Sequence, residues 1–156
     1  MDQNDFRQLC RSASLLLHCD DPDALGTTNV IDIDGVRIGL FFDEDLAPDR
    51  ILCYLDIGKL PLLGREEILE RSLALNLLTA TKTSGVYGFE PKSDTLIFVQ
   101  HLLYPELMSG DELYRILQGY ADHANSLRKT LLDPDNTDPV PDMLTRSFDT
   151  TSRGIA

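Results

Sequence analysis

The sequence predicts an α+β fold: a twisted antiparallel sheet with flanking helices, in the order α-β-β-β-α-β-β-α, working as a homodimer. Three observations point there. The first and last ordered segments carry apolar residues at helical spacing on one stripe each, and two stretches of strand-like residues are each split by a turn. Between those stretches, Arg65–Thr81 reads as a helix with apolar residues on two stripes. At about 100° per residue, Leu69, Leu73, Leu77 and Ala80 fall on one side, and Ile68, Leu75 and Leu78 on another. A surface helix normally buries one stripe and wets the rest. Two stripes need two partners, and a domain of this size readily supplies one. The second is expected to be another copy of the chain. Leu69, Leu73, Leu77 and Ala80 are therefore the expected dimer contact, with Ile68, Leu75 and Leu78 as the alternative.

The first helix is predicted over Gln3–His18, because Phe6, Leu9, Cys10, Ala13, Leu16 and Leu17 follow the i, i+3, i+4, i+7 rule. Leu15 lies almost opposite that stripe and is expected to be exposed. CDDPDALGTT, with Pro22 and Gly26, reads as a break. A hairpin follows, turning at Asp34-Gly35, a pair that accepts the φ > 0 a type I′ turn requires. Its register puts Ile33 opposite Val36, Ile31 opposite Ile38, and Asp32 opposite Arg37. Val30 and Phe41 then share the face of the charged pair. The third strand, Arg50–Ile57, places Ile51, Cys53, Leu55 and Ile57 on one side and Leu52 and Tyr54 on the other, so each face calls for a cover. After the middle helix, KTSGVYGFEPKSDTLIFVQHLL reads as a second hairpin looping at EPKSD. The last helix opens on the Ser109/Glu112 capping box and carries Leu113, Ile116, Leu117, Tyr120, Ala124, Leu127 and Leu131 as one core stripe. Asp133-Pro134 stops it.

Composition narrows the functional classes. One domain with a proper core fits the length and the 42% hydrophobic content. The net charge of −12 disfavours nucleic acid and anionic membrane surfaces, which would be repelled. No apolar run approaches a membrane span, and the opening MDQNDF lacks the basic region of a signal peptide. The odd, unpatterned set Cys10, Cys19 and Cys53 reads as reduced thiols in a cytosol. Residues 133–156 hold five aspartates, three prolines and two arginines with little periodicity, so domain 1–132 is followed by an acidic tail expected to be disordered.

Residues that could carry chemistry have simpler readings. Asp32-Ile33-Asp34-Gly35 has the look of a calcium loop, but an EF-hand needs a ligand at Val30 and a glutamate at Phe41. The acidic clusters Asp20-Asp21-Asp23 and Asp43-Glu44-Asp45 read as solvated loops. His18, His101 and His123 have no second ligand at zinc spacing. Ser72, Ser126 and Cys53 could meet a histidine only through folding, and none sits in a nucleophile elbow. No catalytic residue, metal site or cofactor is assigned. The apolar residues that the register leaves off the core stripes are Leu15, Val30, Phe41, Leu52 and Tyr54. They form either scattered surface positions or a contiguous patch for a partner.

Three stretches carry a family resemblance: the amphipathic opening helix; LDIGKLPLLGREEILERSLALNLLTAT (55–81), a strand, a proline loop and a leucine helix with Asn76; and SGVYGFEPKSDTLIFVQHLLYPELMSGDELYRIL (84–117), a glycine-bounded hairpin, a proline and the closing helix. Together they resemble the class I type III secretion chaperones of the Tir-chaperone (CesT-like) family. The chain departs from that pattern in lacking any tryptophan and in its longer tail. The resemblance implies a non-enzymatic homodimer in a bacterial cytoplasm that binds an N-terminal segment of a secreted effector in extended form. The export ATPase or sorting apparatus is the further implied partner. On that reading the residues off the core stripes, Leu15, Val30, Phe41, Leu52 and Tyr54, are the expected effector patch. Two other readings stay open: an interaction or regulatory domain of the same fold, and a small hydrolase whose triad only folding assembles.

The tail carries little that could bury apolar area, so a chain ending at Leu132 should melt within a few degrees of the full chain. A large drop in a thermal scan would place Met143, Leu144 or Phe148 on the folded body.

Overall fold

Among the described residues, four α-helices and five strands form in the order α1 (Gln3–Leu16), α2 (Ala24–Thr28), β1 (Val30–Ile33), β2 (Val36–Phe41), β3 (Arg50–Lys59), α3 (Arg65–Thr79), β4 (Val86–Glu90), β5 (Thr95–Leu103) and α4 (Gly110–Thr130), with a 3-10 turn at Pro105–Leu107 before α4. The computed structural model describes residues 1–79 and 85–132, with the backbone alone at 78 and 79. Ala80 and the 133–156 tail lie outside the described residues. The strands make one sheet, ordered β1-β2-β3-β5-β4, and every neighbouring pair is antiparallel.

The β1–β2 turn has the predicted register: Ile33 opposite Val36, Asp32 opposite Arg37, Ile31 opposite Ile38. Asp34 and Gly35 adopt φ of 50° and 75°, as the type I′ turn demands. Alternation then sorts the sheet into two faces. The inner face holds Ile33, Val36, Ile38, Leu40, Ile51, Cys53, Leu55, Leu96, Phe98 and Leu102, all buried. Over them lies a helical layer in which α1 packs on α4 and α4 crosses β1, β2 and β3. Phe6, Cys10 and Ala13 of α1 and Leu113, Leu117, Ala121 and Ala124 of α4 are fully buried there. Phe6 stacks on Phe42, with ring centroids 5.4 Å apart.

Both long helices start on side-chain caps. Asp2 and Asp5 close a capping box on α1, and Ser109 and Glu112 close the predicted one on α4. The Ser109 backbone N–H and hydroxyl hold the Glu112 carboxyl below the usual carboxylate range. At its other end α4 is tied to the sheet by Arg128. The guanidinium donates to the backbone oxygens of Ile57 (2.6 Å), Asp56 (2.9 Å) and Gly35 (2.8 Å). Gln118 and Asn125 donate to Asp34 in the same hairpin turn, at 2.9 and 3.2 Å.

Three boundaries differ from the sequence reading. A five-residue helix, α2, stands where a break was expected, and its Leu25 is buried. A segment that short shows no period, and Pro22 precedes the helix instead of ending one. α1 stops at Leu16, two residues early, because His18 turns left-handed at φ 56°. β3 runs on to Lys59 through a bulge between Asp56 and Gly58, with Gly58 at φ 142°. Two of the carbonyls that Arg128 binds, those of Asp56 and Ile57, lie at that bulge.

Burial pushes the Cys10 and Cys53 thiols up to about 12. Above pH 9 the unfolded chain releases these protons while the folded chain holds them, so their contribution to stability is full below about 9 and falls as pH climbs toward 12. At pH 8 a thiol-specific reagent should label Cys19 alone in the native protein, and Cys10 and Cys53 only after denaturant is added. Native labelling of all three at equal rates would contradict this core.

Candidate functional site: the open face of the sheet

On the outer face the same alternation lines up a different set. Val30, Gly39, Tyr54, Val99 and Val86 run across the five strands in one row, and Phe41, Leu52 and His101 form the next. Leu103 continues the patch beside Arg50. Phe41 packs edge-on to Tyr54, with centroids 5.4 Å apart and planes at 89°. That arrangement suits two aromatic rings, but it does not hide them: Phe41 is 45% exposed. Val86 and Leu103 are half exposed as well, and Val30, Leu52, Tyr54 and Val99 are partly covered.

No described helix closes this face. α1 and α4 make the opposite layer, and α3 packs beside β4. Charges border the apolar rows at both ends. Asp32 and Arg37 pair at 3.8 Å beyond the Val30 row. Asp49 and Arg50 pair at 2.9 Å beyond the Phe41 row, where the Arg50 hydrogen bond holds the Asp49 carboxyl below its usual range. An apolar strip with a charged rim is the anatomy of a protein-docking surface.

Four of the five residues expected to bind a partner stand together on this face: Val30, Phe41, Leu52 and Tyr54. Leu15 does not join them. It is exposed on α1, in the helical layer. Along α3, Ile68 is 3% exposed and faces the protein's own core, with Leu75 packed against it. Leu73 and Leu77 are 65% and 63% exposed. Leu69, grouped with them by the sequence, is partly buried on the core side. Ala80 falls outside the described residues, as does the side chain of Leu78.

The chemistry-bearing residues are dispersed. His101 lies on the outer face, whereas Cys53 faces inward one step along the register. His123 sits against Phe98 at 6.0 Å, and partial burial there lowers its pKa. The Ser72 hydroxyl donates to the backbone oxygen of Ile68 within its own helix, at 2.7 Å. Among the described residues, no three His, Cys, Asp or Glu side chains gather as a metal site. No described helix is long and apolar enough to cross a membrane.

The sequence reading missed the β5 share of the patch. Ile97, Val99, His101 and Leu103 alternate on the outer face, a signal present in TLIFVQHLL but unusable until β5 is known to lie next to β3. It also left unassigned Asn76, whose side-chain amide reaches the backbone of Tyr87 in β4.

Comparison with solved structures finds the fold in the crystal structure of the ExsC–ExsE complex. There the TM-score is 0.68 and identity 16%, over 85% of this chain and 98% of that one. The HopA1–SchA chaperone–effector complex aligns at a TM-score of 0.49 and 18% identity, over 83% of this chain and 99% of that chain. No curated protein sequence matches. The Tir chaperone protein (CesT) family profile matches residues 22–128, which span β1 through nearly all of α4 and so include the open face, α3 and the Arg128 anchor. Matched by that profile over well more than half of its length, this chain belongs to the Tir chaperone protein (CesT) family.

Proposed function

We propose that the protein is a non-enzymatic, homodimeric chaperone that binds an N-terminal segment of a type III secreted effector in extended form. Binding keeps that segment soluble and secretion-competent in the bacterial cytoplasm. The observation that carries this reading is the pair of adjacent, partly exposed rows Val30–Tyr54 and Phe41–Leu52, an apolar strip bounded by ion pairs. Family membership supports it. An extended segment places alternate side chains on such a strip, and strand β1 at the sheet margin offers main-chain groups for pairing. Ordering the cargo costs free energy, which favours a preformed surface over one assembled on binding. The chain's −12 charge, doubled in a dimer, attracts basic cargo and raises the encounter rate more than the final affinity. The export ATPase or sorting apparatus is the partner expected to receive the loaded complex.

Dimerisation through α3 rests on Leu73 and Leu77, which the domain itself leaves in solvent while Ile68 turns inward. Replacing both with Asp should give folded monomers. An unchanged mass by light scattering would put the interface elsewhere.

The double variant Val30→Asp/Leu52→Asp tests the cargo face. Both side chains lie outside the core layer, so the variant should keep its circular dichroism and its mass. Affinity for an effector recovered by co-purification should fall at least about tenfold, the scale of a lost hot-spot residue. Full binding by the folded variant would overturn the assignment and turn attention to Val86–Leu103.

A further inference from the structure

A five-stranded open sheet has two edges, here β1 and β4. Unpaired strand edges invite pairing with another chain, and proteins manage them with explicit devices. At β4, among the described residues, a side chain of α3 bonds the outward backbone. Asn76 accepts the Tyr87 backbone N–H on Oδ1 at 2.6 Å and donates Nδ2 to the Tyr87 carbonyl oxygen at 3.1 Å. A carboxamide used this way copies the donor and acceptor of a peptide unit. It therefore fills the place that a residue on an incoming strand would take.

In an antiparallel ladder, residues alternate in directing their backbone groups to the neighbour or away from it. Tyr87 directs its pair away from β5, as its bonds to Asn76 show, and Phe89, two residues on, is equivalent. Arg65, from the start of α3, lies 4.8 Å over the Phe89 ring and is ion-paired to Asp94. Helix α3 thus reaches the Tyr87 backbone through Asn76 and the Phe89 ring through Arg65.

We propose that Asn76 closes the β4 edge against a strand from a second copy of this chain. Self-association then runs over the Leu73/Leu77 face of α3 and not through a sheet continued from β4 to β4. This inference rests on the self-association reading only for its second half; the closure of the edge stands on the two hydrogen bonds.

The test is Asn76→Ala, which deletes both bonds, alongside Asn76→Asp, which keeps the acceptor for the Tyr87 N–H. Each is measured by light scattering over a hundredfold concentration range, with hydrogen exchange at the Tyr87 amide. In Asn76→Ala that amide should exchange at least tenfold faster at low concentration. Mass should climb above the wild-type value at high concentration, with protection at Tyr87 returning as it does. Asn76→Asp should fall between the two. The rise should persist with Leu73→Asp/Leu77→Asp added, because it runs through the edge. A folded Asn76→Ala of wild-type mass at every concentration overturns the proposal, and so does a rise that the α3 substitutions abolish. Should Asn76→Ala fail to fold, Asn76→Asp decides by the same readings. Failure of the α3 dimer alone would appear as a monomeric wild type and would leave the Asn76→Ala rise in place.

Discussion

Strand β3 is the element on which the rest of this structure depends. It lies at the centre of the sheet, paired along most of its ten residues, with β2 on one side and β5 on the other. Ile51, Cys53, Leu55 and Ile57 point inward, and none is accessible to solvent. Leu52 and Tyr54 point outward and are only partly covered. Both halves of the pleat are apolar, but the helical layer formed by α1 and α4 can cover just one of them. Each fully buried aliphatic side chain contributes roughly 1.5–3 kcal/mol, so the inner row decides which way the sheet faces. The outer row is left as a surface.

That surface is held rigid from the other side. Arg128 reaches from the end of α4 to three backbone oxygens, two at the β3 bulge and one in the β1–β2 turn. Its delocalised, forked guanidinium suits this task better than a lysine ammonium would. With Gln118 and Asn125 on the same hairpin turn, α4 fixes the position of β1 and β2 relative to β3. Val30 and Phe41 belong to those two strands. The geometry of the open face is therefore set partly by a helix on the opposite side of the sheet.

The two margins of the sheet differ in the same economical way. β4 is abutted by α3, whose Asn76 bonds the Tyr87 backbone and whose Arg65 lies over the Phe89 ring. β1 is a four-residue strand, short enough to limit the length of any ladder added at that edge. Helix α3 thereby separates its roles by face: Ile68 and Leu75 toward the core, Asn76 toward the strand edge, Leu73 and Leu77 toward solvent.

Local rules were enough for the fold class, the order of the three long helices and five strands, the first hairpin's register and the capping box of α4. Each of these depends on neighbours a few residues apart: a two-residue turn, an alternation, a cap and its acceptor. The same rules singled out Val30, Phe41, Leu52 and Tyr54, because a known register assigns every side chain to one face or the other. They could not reveal that β5 lies between β3 and β4, which adds Val99, His101 and Leu103 to that face, since strand order is a long-range property. Nor could they show that Leu69 turns toward the core while Leu73 stays in solvent, or that Leu15 stands in the helical layer away from the strip. α2 escaped because five residues carry no period. The roles of Asn76 and Arg128 exist only once distant backbone groups are brought within reach, and that is decided by the packing of helices against the sheet.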